Sequence, residues 1–122
     1  MNSKVAFVMY PVTDVAKSVA FYRDVVGLSQ RGMNEAWWVE FDVDGTTFGI
    51  GNVDSIGVPG AAQSLVLEVE DIHACTKQVR DFGVEVDDPV KTPRECWISG
   101  FRDPDGNKIW LHQSKVAVIN RS

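Results

Sequence analysis

At 122 residues, 44% hydrophobic and 24% charged, the chain has the length and composition of one globular domain able to fold without staples. Its net charge of −5 offers no basic stripe from which a phosphate backbone could release counterions, so nucleic acid is excluded as a partner. No apolar run reaches membrane-spanning length and the start MNSKVAFVMYP lacks a signal-peptide pattern, so a cytoplasmic protein off the membrane is expected, with Cys75 and Cys96 as free thiols and no CxxC pair for structural zinc.

In chain order, VAFVMYPV reads as a strand, and Thr13 or Asp14 then offers a helix cap. Val15, Val19, Tyr22 and Val26 recur at helical spacing, widened by Phe21 and Val25, until Gly27 ends the run where a left-handed residue belongs. WWVEFDV and TFGIG follow as two strands joined by a DGT hairpin signal. Residues 53–63, rich in glycine and small side chains, read as a linker.

The second half repeats the plan. SLVLEV alternates as a strand does, Asp71 is a second cap, and Ile72, Cys75, Val79 and Phe82 mark a helical stripe closed by Gly83. VEV, ECWISGF and KIWLHQ are three more strands, the last two joined by DPDGN, in which Asp103, Pro104 and Gly106 serve the turn. Asp14 and Asp71 stand 57 residues apart, Gly45 and Gly106 stand 61 apart, and this near-constant offset argues for an internal repeat. Two copies of β-α-β-β-β are therefore expected, as modules 1–52 and 64–113 of one α+β domain.

With one helix per copy, each sheet has one covered face, and alternation says which. Ala6, Val8, Tyr10, Trp37, Val39, Phe41, Phe48 and Ile50 are expected under the first helix, and Leu65, Leu67, Val69, Ile109 and Leu111 under the second. The opposite faces then carry Phe7, Met9, Trp38, Glu40, Thr47, Gly49 and Gly51 in one copy, and Ser64, Val66, Glu68, Lys108, Trp110 and His112 in the other. These faces are too apolar for open water and too mixed for a dry core, and so read as the inner wall of a curved sheet. The parity of Trp97 stays open because Gly100 interrupts the alternation of its strand.

The segments YPVTDVAKSVAFYRDVVGL and FRDPDGNKIWLHQ resemble the vicinal oxygen chelate superfamily, which includes glyoxalase I, extradiol dioxygenases, fosfomycin-resistance enzymes and bleomycin-resistance proteins. The resemblance implies paired βαβββ modules forming an open eight-stranded cup, with the helices outside, commonly in a homodimer. Metal-using members place ligands early in the first strand and in the final strand of each module. By spacing, those positions here are Phe7, Ser64, Gly49 and Trp110, a set with no good donor among them, so no metal and no other cofactor is expected.

A small-molecule ligand that is flat or hydrophobic, with a cationic group allowed, then follows as the expected guest, an antibiotic or an aromatic metabolite being the concrete case. Its expected contacts are Phe7, Met9, Trp38, Glu40, Gly49, Ser64, Glu68, Trp97, Trp110 and His112, with the glycines leaving room around the Trp110 ring. His112 and Glu40 are the candidates for acid–base work if the guest is turned over. The rivals are a metal-independent enzyme, a metal-dependent lyase, isomerase or dioxygenase with ligands elsewhere, and a domain that serves assembly alone. Trp37 is expected in the core, His73 exposed, and Asp105 and Lys108 solvated on the hairpin.

Overall fold

The computed structural model describes residues 1–115, and these fall into two compact units. The first comprises residues 1–62 with 103–107, and the second begins at residue 63 and takes the remainder.

The first unit holds β1 (Phe7–Pro11), α1 (Val15–Ala20), β2 (Ser29–Asn34), β3 (Trp38–Val43) and β4 (Thr46–Gly51). Its sheet runs β1-β4-β3-β2, with β1 parallel to β4 and the other pairs antiparallel. A parallel neighbour needs a crossover, and α1 supplies it. Asp14 starts that helix by accepting the Lys17 N–H at 3.1 Å. Beyond Ala20 the chain widens into π-type turns over Phe21–Val25, with the Val26 N–H donating to the Phe21 carbonyl at 3.2 Å. The wider turn leaves Tyr22 fully buried while Val19, Val25 and Val26 stay only half-buried. Tyr10, Tyr22, Phe41, Phe48 and Ile50 form the core, its rings meeting edge-on or tilted, as Tyr10 and Phe48 do at 5.3 Å and Tyr22 and Phe48 at 5.1 Å.

The DPDGN turn is more than a turn. Its two oxygens make Asp103 the acceptor for the Tyr22 hydroxyl at 2.7 Å, the Asn107 side-chain amide at 2.9 Å, and the backbone N–H groups of Asp105 and Asn107 at 2.9 Å each. Asn107, fully buried, donates to the Pro11 carbonyl at 2.8 Å and accepts from the Gly60 and Ala62 N–H groups at 2.8 and 3.2 Å. Burial and then the Asp103 charge push the Tyr22 phenol far above its ordinary range, so it remains a donor at any physiological pH. Asp105 accepts from both the Thr13 N–H and its hydroxyl at the surface, at 3.1 and 2.6 Å.

The second unit holds β5 (Leu65–Glu68), α2 (Ile72–Asp81), β6 (Val90–Lys91), β7 (Trp97–Arg102) and β8 (Lys108–Gln113). Its sheet runs β5-β8-β7-β6, the same order and the same mixture of one parallel and two antiparallel pairs. Asp71 caps α2 through the Ala74 N–H at 3.1 Å, and the Gln113 side chain takes the Ile72 N–H at 2.8 Å. Leu65, Ile72, Val79, Phe101, Ile109 and Leu111 make its core. The tandem βαβββ arrangement read from the repeat is the one found. Among the described residues, no helix is long and apolar enough to cross a membrane.

Two strands differ from expectation. β2, which no alternation announces, is exposed along all six residues. VEV is not a strand: Val86 makes one isolated bridge to Phe101, and the edge strand forms later, at Val90–Lys91.

Candidate functional site

On β1 and β3 the side chains that avoid α1 gather into an apolar cavity of about 420 Å³. β1 contributes Phe7 and Met9, β2 contributes Met33, β3 contributes Trp38 and Glu40, and Trp37 stands just ahead of β3. Val53 and Ile56, on and beside a single 3₁₀ turn (Asp54–Ile56), close its side. Phe7, Met9, Met33 and Trp37 are 46, 39, 46 and 50% exposed, far above what isolated apolar side chains need, and they are contiguous.

The glycines of β4 explain the shape of this wall. Trp38 is paired across the strands with Gly51, and Glu40 with Gly49. A Cβ placed on Gly49 would come within 2.3 Å of the Trp38 ring, and one on Gly51 within 2.6 Å. The indole therefore lies flat on two bare stretches of backbone, where it is 7% exposed and meets Phe7 edge-on at 5.8 Å. Gly49 is part of the floor for Trp38. Glu40 braces the same wall. One carboxylate oxygen takes the Trp38 indole N–H at 2.9 Å and the other takes the Met33 N–H at 3.0 Å, where β2 carries extra residues between Gln30 and Asn34 against β3. Both oxygens are engaged, so Glu40 acts here as a brace.

Trp37 was expected in the core and is not there. β3 begins one residue later, and the Trp37 carbonyl instead receives the Asn52 N–H at 3.0 Å, which turns the ring out onto the cavity rim. Alternation was extended one residue past the strand end. Met33, Val53 and Ile56 were also missed, because a strand without period and a presumed linker carry no face signal.

The second unit repeats the indole-on-glycine design with the partners exchanged. Trp110 on β8 faces Gly100 on β7, its indole N–H donates to the Gln63 carbonyl at 3.0 Å, and the Lys108 ammonium stands 4.7 Å from the ring centre. Lys108, expected to be solvated, has its side chain only 13% exposed and bonds Asp87 at 3.1 Å. Ser64 lies exposed just ahead of β5. Trp97 sits on the other face, packed edge-on against His73 of α2 at 4.9 Å, and so does not share a surface with Trp110. His73 is exposed in spite of that contact.

His112 is tied to two neighbours. Its Nδ1 lies 2.6 Å from a Glu68 oxygen, and the other Glu68 oxygen takes the Ser114 N–H at 2.8 Å. The hydrogen bond to Glu68, against partial desolvation, raises the imidazole above its ordinary pKa, and a further hydrogen bond to the Cys96 thiol adds to this. Glu68 feels desolvation upward, yet the His112 and Ser114 hydrogen bonds hold it below the usual glutamate value. The Cys96 thiol is lowered by its 2.9 Å contact with the Thr92 hydroxyl and by His112.

The donor set does not fit a divalent ion. Phe7, Gly49 and Trp110 have no lone pair to give and Ser64 has only a hydroxyl. Among the described residues no group of three or more His, Cys, Asp or Glu side chains is placed to hold a metal. A larger hollow of about 660 Å³ in the second unit is lined in part by charged groups that are paired, Arg80 with Asp88 and Lys108 with Asp87.

The family model of the Glyoxalase/Bleomycin resistance protein/Dioxygenase superfamily matches residues 4–111. The chain is 30% identical to TnmS3, an antibiotic binding protein from Streptomyces sp. CB03234, with a TM-score of 0.83 over 92% of this chain and 96% of that one. A glyoxalase/bleomycin resistance protein of the same organism is also 30% identical, with a TM-score of 0.77 over 90% of this chain and all of the other (100%). A lactoylglutathione lyase from Agrobacterium tumefaciens, 19% identical, shares the fold with a TM-score of 0.79 over 94% of this chain and 96% of that one. No curated protein sequence matches the chain.

Proposed function

The chain belongs to the Glyoxalase/Bleomycin resistance protein/Dioxygenase superfamily, and from that premise we propose that it is a metal-free binding protein for a flat or hydrophobic small molecule, such as an antibiotic or an aromatic metabolite. The observation that carries this reading is the apolar cavity of the first unit, whose aromatic and thioether walls stand exposed without a polar lining beyond the engaged Glu40. Phe7 occupies the first-strand position where the resemblance to metal-using members would call for a donor, and with Met9 it offers a guest surface instead. Similarity to an antibiotic binding protein supports the same choice of ligand class. Of the expected contacts, Phe7, Met9, Trp38 and Glu40 belong to this cavity, with Met33, Trp37, Val53 and Ile56 added. The reading includes the homodimer that kinship implies and a reducing compartment, which suits the two free thiols.

Tryptophan fluorescence during titration with planar antibiotics and aromatic metabolites tests it. A guest stacking on the rim should lose about tenfold in affinity in Trp37→Ala, consistent with roughly 0.5–1.5 kcal/mol for an aromatic contact beyond the area it buries. Equal affinity in Trp37→Ala and Phe7→Ala would put the site elsewhere. Near-stoichiometric zinc, manganese, nickel or iron in untagged protein would end the metal-free reading.

A further inference from the structure

The wall of the apolar cavity continues past Glu40 into different chemistry. Strand alternation puts Trp38, Glu40 and Asp42 of β3 on one face, and register sets them against Gly51, Gly49 and Thr47 of β4. Met9 and Phe7 of β1 lie beyond Gly49 and Thr47. At the Asp42 end of this face a second hollow, also about 420 Å³, is lined by Arg31, Gly32, Glu40, Asp42, Gly45 and Thr47. The two hollows share Glu40. We propose that the second hollow is a subsite for a neutral, polyhydroxylated appendage, so that the whole ligand is an aromatic glycoside. This rests on the reading of the apolar cavity as the seat of the flat part of the guest.

The donors and acceptors decide the class of appendage. Arg31 offers only donors, Asp42 only acceptors, and the Thr47 hydroxyl serves as either. Among the described residues the Arg31 guanidinium has no ion pair and the Thr47 hydroxyl no hydrogen bond, and Asp42 is engaged through Oδ1 alone, which accepts the Gly45 N–H at 3.2 Å. Arg31 is exposed and Asp42 and Thr47 are half-buried, so a guest can reach all three. An ammonium group there would meet the Arg31 charge, and a carboxylate or phosphate would meet Asp42 and Glu40. A hydroxyl donates and accepts at once, and so finds a partner at each.

The backbone fits the two hollows to one ligand. Gly32, at φ 94°, lies so close to Glu40 that a Cβ there would come within 2.5 Å of Oε1, the oxygen that takes the Met33 N–H at 3.0 Å. Glu40 therefore stands as a fixed ridge between the hollows. Gly45, at φ 88°, turns the hairpin with nothing within 4 Å of where its Cβ would stand, which leaves the far end open. Phe7 lines the apolar cavity and is paired with Thr47. A ring lying on Phe7 thus has the Thr47 strand roughly 4.8 Å away, the spacing of paired strands, within reach of a sugar carried on the ring's edge.

Calorimetric titration of the full chain with emodin, quercetin and 4-methylumbelliferone, each beside its O-glucoside, tests the subsite. At least one glucoside should bind about tenfold more tightly than its aglycone, the effect of one or two net hydrogen bonds. Thr47→Val and Arg31→Met should each remove about threefold or more of that gain and leave the aglycone within about twofold, with thermal unfolding reporting the fold. Trp37→Ala should instead weaken aglycone and glucoside alike. Aglycones that bind while their glucosides gain nothing, or a gain that survives both substitutions, would overturn the subsite and leave the cavity reading standing. Failure of all three pairs to bind would end both.

Discussion

The two sheets are the same device built twice and finished differently. In the first, the tryptophan stands on β3 and its glycine floor on β4; in the second, the glycine stands on β7 and the tryptophan on β8. In the first, the indole N–H goes to a carboxylate, and methionine and phenylalanine fill the surroundings; in the second, it goes to a backbone carbonyl, and an ammonium group lies on the ring. What the pair has in common is a packing requirement, since a large flat ring on a sheet needs bare backbone beside it. The requirement says nothing about which strand supplies the ring. Duplication can therefore keep the platform while one copy stays apolar and the other gathers charge.

The sharpest way to break this parallel is to fill the floors. An alanine at Gly49 puts its Cβ 2.3 Å from the Trp38 ring, which is locked by Phe7 and Glu40 and cannot swing away. Gly49→Ala should cost about 1–3 kcal/mol, the range of overpacking a fixed neighbour. Gly100→Ala first meets the Lys108 Cε at 2.4 Å, the end of a flexible chain, with the Trp110 ring at 3.1 Å. It should stay within about 1 kcal/mol of wild type, helped by the lower backbone entropy of alanine. Urea unfolding of both variants checks this, and a Trp38→Ala background should remove most of the Gly49→Ala cost. Equal costs in the two sheets would mean that the floors do not hold the rings.

The helices differ in a smaller way. In α1 the Ser18 hydroxyl is buried without a hydrogen-bond partner, whereas in α2 the buried Thr76 hydroxyl pairs with Ser99 at 3.2 Å. Removing one hydroxyl from a satisfied pair strands the other, so Thr76→Val should cost about 1–2 kcal/mol. Ser18→Ala removes a group that has nothing to lose and should be neutral or mildly stabilising by the same unfolding measurement. A marked loss in Ser18→Ala would show that the hydroxyl is in fact used.

What could be read in advance follows the same line between local and distant causes. The caps at Asp14 and Asp71 are local events, each settled by an N–H three residues on, and they were legible. So was the DGT hairpin, where Asp44 at φ 48° and Gly45 at φ 88° take the two positive angles that its turn demands. β2 was not, because SQRGMN has no apolar alternation; it is held by pairing with β3 and by Glu40. Trp37 was misplaced into the core by one residue of strand boundary, whereas Trp38 was read on the face where it is found. That Gly49 and Gly51 lie under Trp38 follows from register across strands, which tells which ring a bare backbone carries and which a single sequence does not fix. Asp103 was read as a turn former and Asn107 was given no role, and their bonds to Tyr22 and Pro11 span the sequence distances at which single-sequence reasoning has no purchase.

The charged finish of the second sheet sets a pH window that the first lacks. His112 is raised in the folded chain, so its contribution to stability is complete below the ordinary histidine value of 6.5 and fades as pH climbs through the raised value. Glu68 is lowered, so its contribution is complete above the ordinary 4.5 and fades as pH falls through the lowered value. Both are at full strength only between those limits. Partial exposure of both side chains and solvent screening keep the pair near the surface range of about 0.2–1 kcal/mol. The difference in unfolding free energy between wild type and His112→Gln should accordingly be greatest near pH 5.5, and shrink toward pH 8.5 and toward pH 3. Raising salt to about 1 M should flatten it, because ions screen a pair this exposed. If His112→Gln lost the same amount at every pH, the Glu68–His112 pair would not be what the charge of the second sheet contributes.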